Sequence, residues 1–334
     1  TGVEGDEENA EDVGSRTSVF KWGIPTNIYL ANLAQVTKNS ATESLKVEDY
    51  YNQGNDLYAE DLYQEAIVAY DKAIEIKSDY AYAWNNRGNA LEKLDKYQEA
   101  LASYDQAIEI KPDYANAWYN RGIVLRKLGK NQEALASYDQ AIEIKPDYVN
   151  AWNNRGNALD ELGKYTEALA SYDQAIEIKP DYANAWYNRG IVLEKLGKNQ
   201  EALASYDQAI EIKPDYANAW YNRGIVLEKL GKYTEVIASY DKAIEIKPDY
   251  ANAWYNRGNA LDELGKYQEA LASYDKAIEI KPDYSYAWNN RGFALENLKR
   301  YDEALESYEK AIQFDSNNQT AINNSKNLRE KLGR

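Results

Sequence analysis

From residue 47 to residue 318 one pattern of apolar and polar positions returns every 34 residues. In residues 115–148, ANAWYNRGIVLRKLGKNQEALASYDQAIEIKPDY, the apolar residues Trp118, Leu125, Tyr138 and Ala141 recur at helical spacing with polar residues between them. That spacing predicts two amphipathic helices per unit. Gly129 fits the left-handed residue that ends a first helix. Pro146 with Asp147 stops one helix and starts the next, the Asp offering its carboxylate to free backbone N–H groups. Residues 183–216 repeat the stretch with one change, Glu194 for Arg126. Eight units fit this frame: 47–80, 81–114, 115–148, 149–182, 183–216, 217–250, 251–284 and 285–318. In 319–334, Ile322, Leu328 and Leu332 at helical spacing predict a C-terminal capping helix.

The period, with Trp118, Gly122, Leu125, Ala134, Tyr138, Ala141 and Pro146 at their places in it, resembles the tetratricopeptide repeat family. The resemblance implies an all-α superhelical solenoid of helix-turn-helix repeats, with Gly122 and Ala134 small where the two helices of a unit cross most closely. It implies a concave groove lined by the second, fifth, sixth, ninth and twelfth residues of each unit. Asp61, Asp95 and Lys299 replace the Gly129 type of residue in the first, second and last units, and Tyr50 replaces the Trp in the first. Terminal units deviate in this way where one face meets a cap or solvent.

The sixth position is Asn in every unit: Asn52, Asn86, Asn120, Asn154, Asn188, Asn222, Asn256 and Asn290. An amide both donates and accepts, so such a row can bond an extended backbone without reading its sequence. The row is similar to the asparagine ladder in the repeat domain of O-GlcNAc transferase. Simple copying of near-identical units accounts for the row as well. Tyr119, Tyr187, Tyr221 and Tyr255 at the fifth position, and Ile123, Ile191 and Ile225 at the ninth, would add amphipathic rings and apolar pockets, a composition suited to binding surfaces. Tyr51 holds the fifth position of the first unit, the remaining units carry Asn at these positions, and Phe293 takes the ninth position of the last. The family's carboxylate clamp needs Lys or Arg at positions that here hold Tyr and Asn. Arg121 and its counterparts are expected to pair with acids of an adjoining unit, Asp105 or Asp113 for Arg121. The acids Glu92, Asp160, Glu194, Glu228, Asp262 and Glu296 are read as tuning the groove's charge, and the Tyr138 and Tyr148 series as packing.

Net charge is −16, from 39 Lys+Arg against 55 Asp+Glu, a field that repels a phosphate backbone and argues against nucleic acid. With no Cys and no His there is no thiolate nucleophile, no imidazole base and no metal site of the usual ligands. The glycines follow the repeat and make no phosphate-binding fingerprint. No enzymatic activity, cofactor or metal is expected. No run approaches the roughly 18 to 20 apolar residues that span a bilayer, so no membrane insertion is expected. The sequence begins at Thr1. A cleaved leader would make the protein extracellular, and otherwise it is read as cytoplasmic. Asn318 and Asn323 each open a triplet of the N-glycosylation acceptor pattern.

Residues 1–46 fit the repeat in no phase. Residues 1–15 are acidic without a basic residue, the composition of a solvated tail. Residues 18–30, SVFKWGIPTNIYL, form an apolar arm with Phe20, Trp22, Ile28 and Leu30 as its large side chains. This arm either caps its own first unit or reaches a second copy of the chain. The favoured reading is a non-enzymatic protein–protein interaction scaffold, a structural subunit that self-associates head to tail through the arm into a filament or ring. The alternative is a monomeric adaptor that holds an extended peptide of another protein in the groove.

Overall fold

The computed structural model describes Gln35 and residues 46–333. A first helix covers 46–59, and sixteen more run from Tyr63–Ile76 to Gln319–Lys331, with no strand among the described residues. The arm with Phe20, Trp22, Ile28 and Leu30 lies outside the described residues. The chain divides into two compact units, Thr1–Gly129 and Lys130–Arg334. Within each, helix pairs stack as an all-α solenoid, as the repeat predicts.

Local chemistry sets the helix ends. Between the two helices of a pair, Gly163, Gly197, Gly231 and Gly265 take φ between 68 and 73°, and the Gly129 type of residue is left-handed throughout. Asp61, Asp95 and Lys299 take the same conformation at φ 60, 57 and 60°, so the turn is kept where the glycine is not. It is closed by backbone bonds such as Lys164 N–H to the Leu159 carbonyl at 2.8 Å.

The start of each pair corrects one expectation. Tyr148, not Asp147, is the N-cap residue of Val149–Glu161, and no side chain caps that helix. The turn is fastened instead by the indole of Trp152, whose Nε1–H donates to the Pro146 carbonyl at 2.9 Å. Trp84, Trp118, Trp186, Trp220, Trp254 and Trp288 make the same bond to the residue six positions earlier. The indole thereby buries an apolar body while spending its one donor on a carbonyl that the helix end leaves open. The last helix departs from this pattern, with Asn318 capping it by accepting from Ala321 N–H at 3.0 Å.

Each pair interlocks through a glycine and a ring. Tyr104, Tyr138, Tyr172, Tyr206, Tyr240, Tyr274 and Tyr308 are buried, and in the pairs whose crossing is described each faces a glycine of the first helix. The ring lies where the glycine's Cβ would be, which fixes how closely the helices approach. Alanines at the crossing, such as Ala202 and Ala270, are fully buried beside them. The Tyr138 series is therefore packing, as read from the sequence.

An arginine row ties neighbouring pairs together on another face. Arg121 Nε meets Asp105 Oδ1 at 2.7 Å, the expected partner of the two considered. In Lys130–Arg334, Arg189, Arg223, Arg257 and Arg291 repeat the contact with Asp173, Asp207, Asp241 and Asp275, and each gives a second N–H to a buried serine of its own pair, Ser205, Ser239, Ser273 and Ser307. Each guanidinium also lies 5.6–6.0 Å from the centre of its Trp ring. These cations are consumed in the scaffold.

Candidate functional site

The first helices of successive repeats meet along a line of side-chain amides and tyrosines, which forms the candidate binding face of each unit. In Thr1–Gly129, Asn86 donates Nδ2–H to Tyr51 Oη at 3.0 Å and to Asn55 Oδ1 at 2.9 Å. Asn120 does the same to Asn85 Oδ1 at 3.1 Å and Asn89 Oδ1 at 3.0 Å. Asn52 is exposed at the start of the line.

In Lys130–Arg334, Asn188 bonds Asn153 and Asn157, Asn222 bonds Tyr187, Asn256 bonds Tyr221, and Asn290 bonds Tyr255 and Asn259, at 2.8–3.3 Å. Asn324 of the last helix continues the series to Asn289 at 3.1 Å. Asn154 accepts from Asn153 and Asn157 on its own helix. The row of sixth-position amides is thus half structural, with the NH₂ groups of Asn86, Asn120, Asn188, Asn222, Asn256 and Asn290 each joining one repeat to the one before it.

The fifth residue decides what happens to the other half of each amide. Where it is Asn, its own NH₂ turns to the sixth-position carbonyl, as Asn85 does to Asn86 at 3.0 Å and Asn289 to Asn290 at 2.9 Å. Where it is Tyr, the hydroxyl accepts from the following repeat and the ring stacks. Tyr187 lies 6.0 Å from Tyr206 and 4.8 Å from Tyr216, Tyr221 lies 5.8 Å from Tyr240 and 4.8 Å from Tyr250, and Tyr255 lies 6.1 Å from Tyr274 and 5.0 Å from Tyr284. Burial pushes the hydroxyls of Tyr216, Tyr250 and Tyr284 up to about 12, so they stay neutral donors at physiological pH.

The structure brings Tyr187, Ile191 and Tyr221 together, packed half-buried against the core of the fifth and sixth repeats. Ile225 is half-buried one repeat on. Tyr119 and Ile123 take the same places in Thr1–Gly129, also half-buried. Four aromatic side chains are more exposed than these: Phe314 at 42%, Tyr82 at 43%, Phe293 at 45% and Tyr286 at 60%. Phe293 borders a cavity of about 300 Å³ with Glu296, Asn297, Asn324, Asn327 and Lys331. A larger one of about 720 Å³ opens at the first repeat beside Lys46, Asp49, Tyr50, Gln53 and Ile76.

The acids at the twelfth position have a role that sequence reasoning missed. Lys127 meets Glu92 at 2.7 Å, Lys195 meets Asp160 at 2.6 Å, Lys229 meets Glu194 at 2.8 Å and Lys331 meets Glu296 at 3.2 Å. Each pair joins residues 35 apart, which a table of the thirteenth positions would have revealed. Among the described residues no group of acids is placed to hold a metal ion, and no helix is long and apolar enough to cross a membrane.

Family models described as TPR repeat match residues 54–95, 122–163, 156–197 and 195–231. Models described as tetratricopeptide repeat match 81–114, 217–250, 251–284 and 285–318, and a further one matches 103–136. Together they run unbroken from 54 to 318. No curated protein matches the chain. Among solved structures, a tetratricopeptide repeat protein from Parabacteroides merdae aligns with 74% of this chain and 98% of its own at 21% identity and a TM-score of 0.53, a likeness of fold. YrrB, described as a TPR protein with an unusual peptide-binding site, is 28% identical over 57% of this chain and 97% of its own, with a TM-score of 0.48. MamA is 23% identical over 50% of this chain and 92% of its own, also at 0.48.

Proposed function

The chain belongs to the tetratricopeptide repeat family, a scaffold for protein–protein interaction, and on that premise we propose that its first-helix face holds an extended polypeptide, which another copy of the chain supplies. The observation that carries the reading is the amide–tyrosine line of the fifth to seventh repeats. The NH₂ groups of Asn188, Asn222 and Asn256 are held by the preceding repeat. An amide held by its nitrogen cannot rotate, so its carbonyl keeps one orientation towards an incoming main-chain N–H and little ordering entropy is lost on binding. Because the fifth residue in these repeats is Tyr, no neighbouring amide competes for that carbonyl. The rings of Tyr187, Tyr221 and Tyr255, with Ile191 and Ile225, offer an apolar rest for alternate side chains of the segment. Repeats with Asn at the fifth position close their amides on themselves and contribute less grip.

The supply of the segment rests on residues 18–30. Phe20, Trp22, Ile28 and Leu30 give that arm alternating bulk suited to such a face, and a contact between unlike surfaces of identical chains closes into a ring or extends into a filament. The test compares the full chain with the chain lacking residues 1–46 by light scattering across micromolar concentrations, with negative-stain microscopy beside it. Assemblies of the full chain that vanish on truncation are expected. If both chains are monomers, the arm serves its own first repeat or a different protein fills the face.

A further inference from the structure

In Lys130–Arg334 the Lys-to-acid bridges between first helices break at the seventh repeat. Lys195 holds Asp160 through both oxygens at 2.6 and 2.8 Å, Lys229 holds Glu194, and Lys331 holds Glu296. At the corresponding places Glu263 stands opposite Glu228, and Asn297 stands opposite Asp262. The Asn297 amide turns back to its own helix, donating to the Phe293 carbonyl at 2.9 Å. Asp262 on Ala251–Glu263 and Glu228 before it are therefore acids of this series with no lysine at the matching place.

The hydrogen bonds of Asp262 do not balance while it is ionised. Asp262 Oδ1 is buried without a partner, and Oδ2 lies 2.6 Å from Tyr274 Oη. The same hydroxyl lies 2.9 Å from Asn259 Oδ1. A phenol has one proton and cannot donate it to two acceptors at once. A proton on Asp262 resolves the conflict, since the acid then donates to Tyr274 and Tyr274 donates to Asn259. Asn259 Oδ1 in turn already accepts from Asn290 of the eighth repeat at 2.8 Å, which carries the chain across the joint.

We propose that Asp262 is a proton-operated lock between the seventh and eighth repeats, closed when protonation completes the Asp262–Tyr274–Asn259–Asn290 chain and loosened when it ionises. The surrounding charges agree. On its own helix Asp262 has Glu263. From the preceding first helix come Glu228 and Lys229, the latter engaged with Glu194. Its second helix brings Tyr274, and the following first helix brings neutral Asn297 and Glu296, which Lys331 holds. Burial pushes the Asp262 carboxyl up to about 6, the Tyr274 bond pulling against it and the Glu263 charge adding to it. Glu228 moves in the same direction, through burial and then Glu263. A carboxyl raised in the folded state above its ordinary 3.8 binds its proton more tightly when folded, so stability is gained as pH falls from about 6 towards 4. The inference does not depend on what the first-helix face binds.

Hydrogen exchange of the full chain, corrected for intrinsic rates, tests it. Opening of Ala251–Glu263 and Ser285–Asn297 is expected to be about tenfold more frequent at about pH 7.5 than at about pH 5. Asp262→Asn, whose amide donates to Tyr274 at every pH, should abolish the difference. Glu263→Lys should reduce opening at the higher pH by restoring a cation opposite Glu228. Carboxyl carbon shifts of the unmodified chain should show Asp262 titrating with a midpoint near 6. The proposal is overturned if Asp262→Asn keeps the pH dependence, if Val149–Glu161, bridged by Lys195, shows the same dependence, or if Asp262 titrates in the ordinary carboxylate range.

Discussion

Replacing Tyr240 by Ala is expected to lower the stability of the unit Lys130–Arg334 by about 3–5 kcal/mol, the range for removing a large buried ring. Tyr240 is fully buried, and its ring fills the space between the two helices of the sixth repeat while meeting Tyr221 of the binding face. The neighbours cannot collapse into the void, because Val226, Leu227, Val236 and Ala243 are already packed on helices held at both ends by their own turns. In a repeat array stability is a sum of units and nearest-neighbour interfaces, so the loss reaches the adjoining repeats. Urea denaturation followed by circular dichroism measures it. Tyr286→Ala, at a ring that is 60% exposed, should change the midpoint little, by less than about 0.5 kcal/mol. Equal effects from the two substitutions would contradict the packing role.

Gly190→Ala is expected to be destabilising by about 2 kcal/mol net, although alanine is the better helix former by roughly 1 kcal/mol. An ideal Cβ at Gly190 would stand 2.5 Å from Tyr206 Cε1 and 2.8 Å from Cδ1. Tyr206 is fully buried, so its rigid ring has nowhere to retreat and the helices must part. Gly197 makes the contrast. Nothing lies within 4 Å of a Cβ there, and only the φ of 72° resists alanine, at a cost of about 1–2 kcal/mol. Thermal unfolding of both variants separates overpacking from backbone strain, since adding Tyr206→Leu should recover stability in Gly190→Ala and none in Gly197→Ala. A Gly190→Ala chain as stable as the original would contradict a crossing whose closeness is set by the Tyr206 ring.

The periodicity made the helix pairs legible, because Gly, Pro-Asp and the apolar spacing each punctuate the chain locally. Arg121 with Asp105 was legible too, as two candidate partners. What could not be read were contacts set by the stacking register. Asn86 shows this: its identity was plain in the sequence, yet its bonds to Tyr51 and Asn55 require knowing that residues 35 and 31 positions apart meet across a joint. The Lys195 to Asp160 bridge follows the same register, and without it the twelfth-position acids look like free groove charges. The Trp indole bonds were hidden for a different reason. Trp fits an apolar face so well that the pattern gives no sign of its single donor, and Asp147 looks like the cap. The arm at 18–30 has no periodic context to place it, so its partner follows only from composition.

The central claim, that the first-helix face of the fifth to seventh repeats holds an extended apolar segment such as residues 18–30, is tested most directly by binding. A labelled peptide of sequence SVFKWGIPTNIYL titrated into the chain lacking residues 1–46 should bind saturably, and Asn222→Ala, which removes one fixed amide, should weaken it by about tenfold, the worth of one well-made hydrogen bond. No saturable binding, or binding that Asn222→Ala and Tyr221→Ala leave unchanged, would contradict the account.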